Sequence, residues 1–104
     1  MAKYLLIYHG GNQPQGEEEG KAVTAAWMAW FEGLGAAVAD GGNPTGAAKA
    51  VAPDGSVADY DPASLTGYSI LDADSLDAAV AMAKSCPHLA AGGTVTVHAT
   101  FEVM

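Results

Sequence analysis

Arginine is absent from this chain of 104 residues, and four lysines (Lys3, Lys21, Lys49 and Lys84) face twelve aspartates and glutamates, for a formal net charge of -8. Phosphate neutralisation needs a basic surface, so the balance argues against nucleic acid as a partner and, by the same deficit, against anionic lipid. Cysteine is nearly absent too. The single Cys86 excludes an internal disulfide and suits a reducing compartment. No long hydrophobic run occurs near the start, where Tyr4 to Tyr8 is too short for a signal-peptide core or a membrane span. A soluble cytoplasmic protein with no membrane association is expected. Asn43-Pro44-Thr45 is no glycosylation acceptor, because proline holds the middle position. His9, His88 and His98 lack any recognised ligand spacing with one another or with Asp40 or Asp59, so no metal and no other cofactor is expected.

Half the residues are hydrophobic, which suits one domain over residues 1–104 burying about two-thirds of its unfolded surface. The most legible stretch runs from Gly67 to Gly93. Tyr68 to Leu71 reads as a strand, and Asp74 offers an N-cap carboxylate, with Ser75 and Asp77 adding oxygen and negative charge to the first helical turn. Leu76, Ala79, Val80 and Ala83 then fall at the spacing of one buried helical stripe, and Cys86-Pro87 ends it.

The remaining elements arrange themselves around that unit. Lys3 to His9 is a strand with Tyr4, Leu6 and Tyr8 on one face and Leu5, Ile7 and His9 on the other, and both faces are largely apolar. Glu17, Glu18 and Glu19 place negative charge at the start of a helix that runs to about Leu34, with Val23, Trp27, Trp30 and Leu34 on one stripe and Met28 and Phe31 widening it. Gly33 and Gly35 stop the helix, and Ala36 to Asp40 forms a second strand. Pro53-Asp54-Gly55 turns a hairpin with arms Lys49 to Ala52 and Ser56 to Ala58. Thr94 to Val103 alternates, with Val95, Val97, Ala99 and Phe101 on one face and Thr94, Thr96, His98, Thr100 and Glu102 on the other. The order βαββαβ with an extra hairpin predicts an α+β ferredoxin-like sandwich, two helices on one face of an antiparallel sheet. Its second face would expose a large apolar patch, which sheet-to-sheet packing of a homodimer would cover.

Candidate chemistry follows from that layout. His98 stands on the polar face of its strand, so it is the preferred general acid or base, with His9 on the neighbouring strand second. Cys86 and His88 flank Pro87, but a cysteine at a helix C-terminus has the dipole against its thiolate, and the buried structural reading of Cys86 is the stronger one. Tyr8 and Tyr68 carry hydroxyls that need partners when buried, which makes them better pocket candidates than Trp27 and Trp30, whose spacing is that of core. Asp40-Gly41-Gly42-Asn43 follows a strand end, where backbone N–H groups and the Asn43 amide could hold a polar ligand or simply make a turn. Gly10-Gly11 and Gly92-Gly93 lack the strand-to-helix context of a phosphate loop.

YLLIYHGG at the start, the helix AAWMAWFEGLG, the turn DGGNP, the stretch GYSILDADSLDAAVAMAKSCPHLAAGG and the closing GGTVTVHATFEVM together resemble a YCII-related domain of the DGPF type. The resemblance spans nearly the whole chain and implies a dimeric α+β barrel, in which two ferredoxin-like sheets face each other and enclose paired clefts. Members near the name-giving protein carry a histidine in the first helix and an Asp-Pro after the second as an acid-base pair. Here the corresponding places are Trp27 and Cys86-Pro87, and Asp59-Tyr60-Asp61-Pro62 is the nearest stretch to the DGPF segment. One branch of the wider family is similar to a dehydrochlorinase of aromatic breakdown.

These readings converge on a homodimer that binds a small organic molecule in a cleft between sheets. If it is an enzyme, the expected reaction is proton transfer or elimination, lyase- or isomerase-like, on a small cyclic or aromatic acid. His98 or His9 would move the proton, while Tyr8, Tyr68 or Asn43 orients the ligand. The alternative is a non-catalytic sensor or accessory binding module, favoured by the missing histidine and aspartate.

Overall fold

A computed structural model describes residues 2–103. The chain runs β1 (Ala2–His9), α1 (Glu17–Leu34), β2 (Val38–Asp40), β3 (Ala48–Val51), β4 (Val57–Tyr60), β5 (Gly67–Ala73), α2 (Leu76–Ala83), α3 (Pro87–Ala90) and β6 (Thr94–Ala99), with short 3-10 turns at Gly35–Ala37 and Pro62–Ser64. Four strands pair in the order β2-β5-β1-β6, antiparallel throughout. With the hairpin set aside, that is the interleaved strand order of the α+β ferredoxin-like sandwich, its two main helices inserted between first and second and between third and last strands.

Period-two alternation in β1 divides the sheet. Tyr4, Leu6 and Tyr8 are buried on the helix-covered face, opposite Leu71, Ser69 and Gly67 of β5 and Ala99, Val97 and Val95 of β6. Leu6, Leu71, Tyr8, Trp30, Ala83 and Cys86 form one core cluster, and Tyr4, Ala73 and Ala79 a second. Trp30 ties the helices together, its indole N–H donating to the Met82 carbonyl at 3.2 Å and the Ser85 hydroxyl at 3.1 Å. Leu5, Ile7, His9, Tyr68, Ile70, Thr96 and His98 fall on the other face, which no element among the described residues covers.

Several boundaries differ from expectation for local reasons. Ser75, not Asp74, caps α2: its backbone is extended and its hydroxyl accepts from the Ala78 N–H at 3.1 Å. Ala79 and Ala83 are buried as expected, but Leu76 and Val80 are exposed on the helix flank, because the small alanines are what let α2 lie close on the sheet. Gly35–Ala37 tightens into a 3-10 turn, so β2 starts only at Val38. β6 ends at Ala99, where the Thr100 N–H and hydroxyl both turn to the Lys3 carbonyl; Phe101 and Val103 beyond it are exposed.

The extra hairpin pairs β3 with β4 only, from Ala48–Tyr60 to Val51–Val57, with Lys49 and Asp59 in an ion pair across it. Every residue of β4 is exposed. The Cα radius of gyration is 15.2 Å, above the ~13 Å of a compact domain of this length, as a hairpin standing outside the two layers requires. Its base is fastened where the chain leaves and re-enters the fold, by the Thr45 N–H to the Thr66 carbonyl at 3.0 Å and a bridge between Pro44 and Gly67. No helix among the described residues is long and apolar enough to cross a membrane.

Candidate functional site

Where β1 and β2 end and β5 begins, the connecting loops frame a cleft of about 490 Å³ on the helix-covered side. Its floor is Tyr8. The phenol is buried, and its hydroxyl donates to the Ser69 hydroxyl at 2.7 Å, which in turn donates to the Gly41 carbonyl at 2.7 Å. Ser69 is a serine in the core because this relay needs a hydroxyl there, and it satisfies a polar group that would otherwise cost stability. Burial pushes the Tyr8 phenol well above its ordinary range, so it stays protonated through neutral pH.

Aromatic rings from α1 build one wall. Trp27 meets Tyr8 edge to face at 5.1 Å and Trp30 at 5.7 Å, and Phe31 lies 5.8 Å from Trp27. Val23 and Met28 extend the wall toward the mouth. The opposite rim is the loop Gly41–Pro44, held by the Asp40 carboxylate, which accepts from the Gly42 N–H at 2.8 Å. Gly42 has φ +74, and a Cβ there would lie 1.7 Å from the Tyr68 carbonyl oxygen, so only glycine permits this approach.

The third side is His88, on α3. Its ring lies 5.4 Å from Tyr8, slotted between Gly11 and Gly93: added Cβ atoms would come within 2.6 Å of its Cε1 and 2.1 Å of its Nε2 respectively. Nε2 donates to the His9 carbonyl at 2.9 Å, since a carbonyl can only accept. That fixes the tautomer. Nδ1 is therefore a lone pair, and no protein group among the described residues hydrogen-bonds it. Because no buried side-chain polar atom among those residues lacks a partner, Nδ1 reaches solvent.

The residues singled out from the sequence part into two groups. Tyr8, Asn43, Tyr68 and His88 border the cleft, although the register of Tyr68 with Ile7 puts its side chain on the sheet's open face. Asp40 shapes the rim without lining it. Cys86 is buried against Tyr8, behind the floor, and the expectation that it ends a helix is corrected: it is the N-cap residue of α3, with Pro87 in the first turn where a missing N–H costs nothing. Burial dominates there even so, raising the thiol to about 11 against the His88 backbone N–H, so Cys86 is a neutral packing group at neutral pH.

His9 and His98 are elsewhere. Both rings lie on the open face, joined through the Thr96 hydroxyl: His98 Nε2 is 2.8 Å and His9 Nε2 2.9 Å from it. His9 Nδ1 donates to the Ser64 carbonyl, which leaves His9 Nε2 to accept from Thr96 and Thr96 to accept from His98. Trp27, assigned to core on its spacing, is half-buried and faces the cleft; its proximity to Tyr8 is a tertiary fact that helical periodicity does not contain. Among the described residues no group of three or more His, Cys, Asp and Glu could hold a metal ion.

Comparison with known proteins agrees with this architecture. The profile of the YCII-related domain matches residues 2–102. The chain belongs to the YCII-related family. Among solved structures, this YCII-related chain is similar to 5-chloro-2-hydroxyhydroquinone dehydrochlorinase from Burkholderia phenoliruptrix in complex with 2,5-dihydroxybenzoquinone. The two share 24% identity over 95% of this chain and 93% of that one, with a TM-score of 0.54. At that identity the likeness establishes the fold. No curated protein matches the sequence.

Proposed function

We propose that this YCII-related protein binds a small planar organic molecule, a phenol, quinone or cyclic acid, in the cleft beneath α1. The observation that carries the reading is the cleft itself: about 490 Å³, inside the ~300–1,000 Å³ range of small-molecule sites, with Trp27, Phe31 and Tyr8 as walls and uncharged polar side chains such as Asn12 and Asn43 around them. Flat aromatic walls select flat ligands. The Asn43 side-chain amide at the Gly41–Pro44 rim supplies the orienting contact. A structural neighbour that binds a dihydroxyquinone supports the same ligand class.

The reaction that suits these groups is proton transfer or elimination, lyase- or isomerase-like, with a histidine moving the proton. The protein acts as a homodimer, the open faces carrying Leu5, Ile7 and Ile70 packed against each other; His9 and His98 then belong to that contact. An acidic chain with one buried thiol fits the cytoplasm. A non-catalytic sensor is the second reading, favoured by the neutral, buried Cys86 and by the resemblance, which puts Trp27 and Cys86 where other members carry their acid-base pair.

Titration with 2,5-dihydroxybenzoquinone, followed by quenching of Trp27 and Trp30 fluorescence, tests both. Saturable quenching at one molecule per chain is the expected result, and quenching that never saturates would remove the cleft from consideration. Conversion of a bound ring compound over time separates the enzyme from the sensor.

A further inference from the structure

We propose that His88 is the proton acceptor of the cleft, taking a proton from a ring hydroxyl of the ligand onto Nδ1; this rests on the cleft being the ligand site. The geometry supplies each requirement of a general base. The ring is immobilised between Gly11 and Gly93. The His9 carbonyl takes the Nε2 proton at 2.9 Å and so presents Nδ1 as a lone pair. Nδ1 is unpaired among the described residues and accessible, and the ring borders the cleft 5.4 Å from Tyr8.

The proton balance is simple. The ligand's O–H bond breaks, its electron pair stays on the ring oxygen, and the proton forms an N–H bond at Nδ1. The resulting imidazolium keeps its Nε2–H bond to the His9 carbonyl. No other side chain bordering the cleft can do this: Tyr8 is held protonated, Cys86 lies behind it with a thiol raised to about 11, and no carboxylate lines the cavity. The base thus comes from α3, one residue beyond Pro87, and not from the first helix, where the resemblance places a histidine in other members.

The test uses 4-nitrophenol, whose phenolate absorbs in the visible, at a pH one unit below its own half-ionisation. Bound to the intact protein it should show an ionised-to-neutral ratio about tenfold above that bound to His88→Gln, the equivalent of one pKa unit. Gly93→Ala is the second handle, because a methyl 2.1 Å from Nε2 displaces the ring without changing its chemistry, at a backbone position with ordinary φ. It should lose the same ionisation while circular dichroism stays that of the folded chain. Nitrogen shifts of His88 should report protonation at Nδ1 on binding. Binding with equal ionisation in all three proteins would overturn His88 as the base and leave the cleft standing; failure of 4-nitrophenol to bind any of them would overturn the cleft and the base together.

Discussion

On the helix-covered side of the sheet, Tyr4, Leu6 and Tyr8 sit under α1 and α2 and end in a cleft floored by the Tyr8–Ser69–Gly41 relay. On the open side, one residue out of register along the same strand, Leu5, Ile7 and His9 face no element among the described residues, and the Thr96 hydroxyl bridges His9 and His98 while His9 Nδ1 donates to the Ser64 carbonyl. The same strand thus serves two environments. One is enclosed within a single chain, with a floor, a wall and the His88 ring; the other is an apolar surface with a Thr96-centred histidine pair, which a second copy would cover in the proposed dimer. The comparison teaches that a histidine's distance from the chemistry is decided by parity: His9 gives its carbonyl to the cleft and its ring to the opposite face.

The sharpest way to break that contrast is to truncate each face in turn. Leu6→Ala should cost about 2–5 kcal/mol of folding stability, since Leu6 is fully buried, and the loss in thermal denaturation should not depend on protein concentration. Leu5→Ala should cost less, with a concentration dependence that Leu6→Ala lacks. Ile7→Lys should weaken self-association by about a hundredfold or more, because paired faces would bury like charges; sedimentation velocity reads this directly, and an unchanged sedimentation coefficient would contradict the paired faces. Trp27→Ala should reduce ligand affinity by roughly tenfold through loss of the ring that meets Tyr8, with self-association unaltered.

A smaller effect is confined to the covered face. The folded Cys86 thiol is raised from 9.0 to about 11 by burial, so the unfolded chain ionises first. Stability from this group is complete below pH 9 and declines as pH rises toward 11, and the raised Tyr8 phenol adds a decline of the same sign at still higher pH. Urea midpoints measured across that range should fall less steeply in Cys86→Ala than in the parent. Smallest of all, Thr96→Val should cost about 1 kcal/mol or less in the isolated chain, because its histidine partners remain open to water.

The fold was legible where side-chain chemistry is local. The acidic start at Glu17 and the glycines around Leu34 bound α1, the Pro53-Asp54-Gly55 turn places the hairpin, and alternation in β6 assigns Val95 and Val97 to the core. Asp74 and Ser75 are both good capping residues, and only the backbone angles choose between them. Cys86-Pro87 reads as a helix end, yet proline is as well suited to a first turn, and α3 begins there. The site was legible in part: Tyr8, Asn43 and His88 border it, but the rank order favouring His98 and His9 came from strand alternation, which cannot say which face is covered. The signal for His88 was present in Gly11 and Gly93, a pair of glycines far apart in sequence whose shared reason is the ring between them.

Backbone amide shifts of isotope-labelled protein titrated with 2,5-dihydroxybenzoquinone test the central claim most directly, because they report both faces at once. The account predicts that Gly11, Trp27, Asn43 and His88 move in saturable proportion while Leu5, Ile7, Thr96 and His98 stay fixed. Movement concentrated on Leu5, Ile7, Thr96 and His98 would place the ligand between paired sheets and contradict the cleft beneath α1.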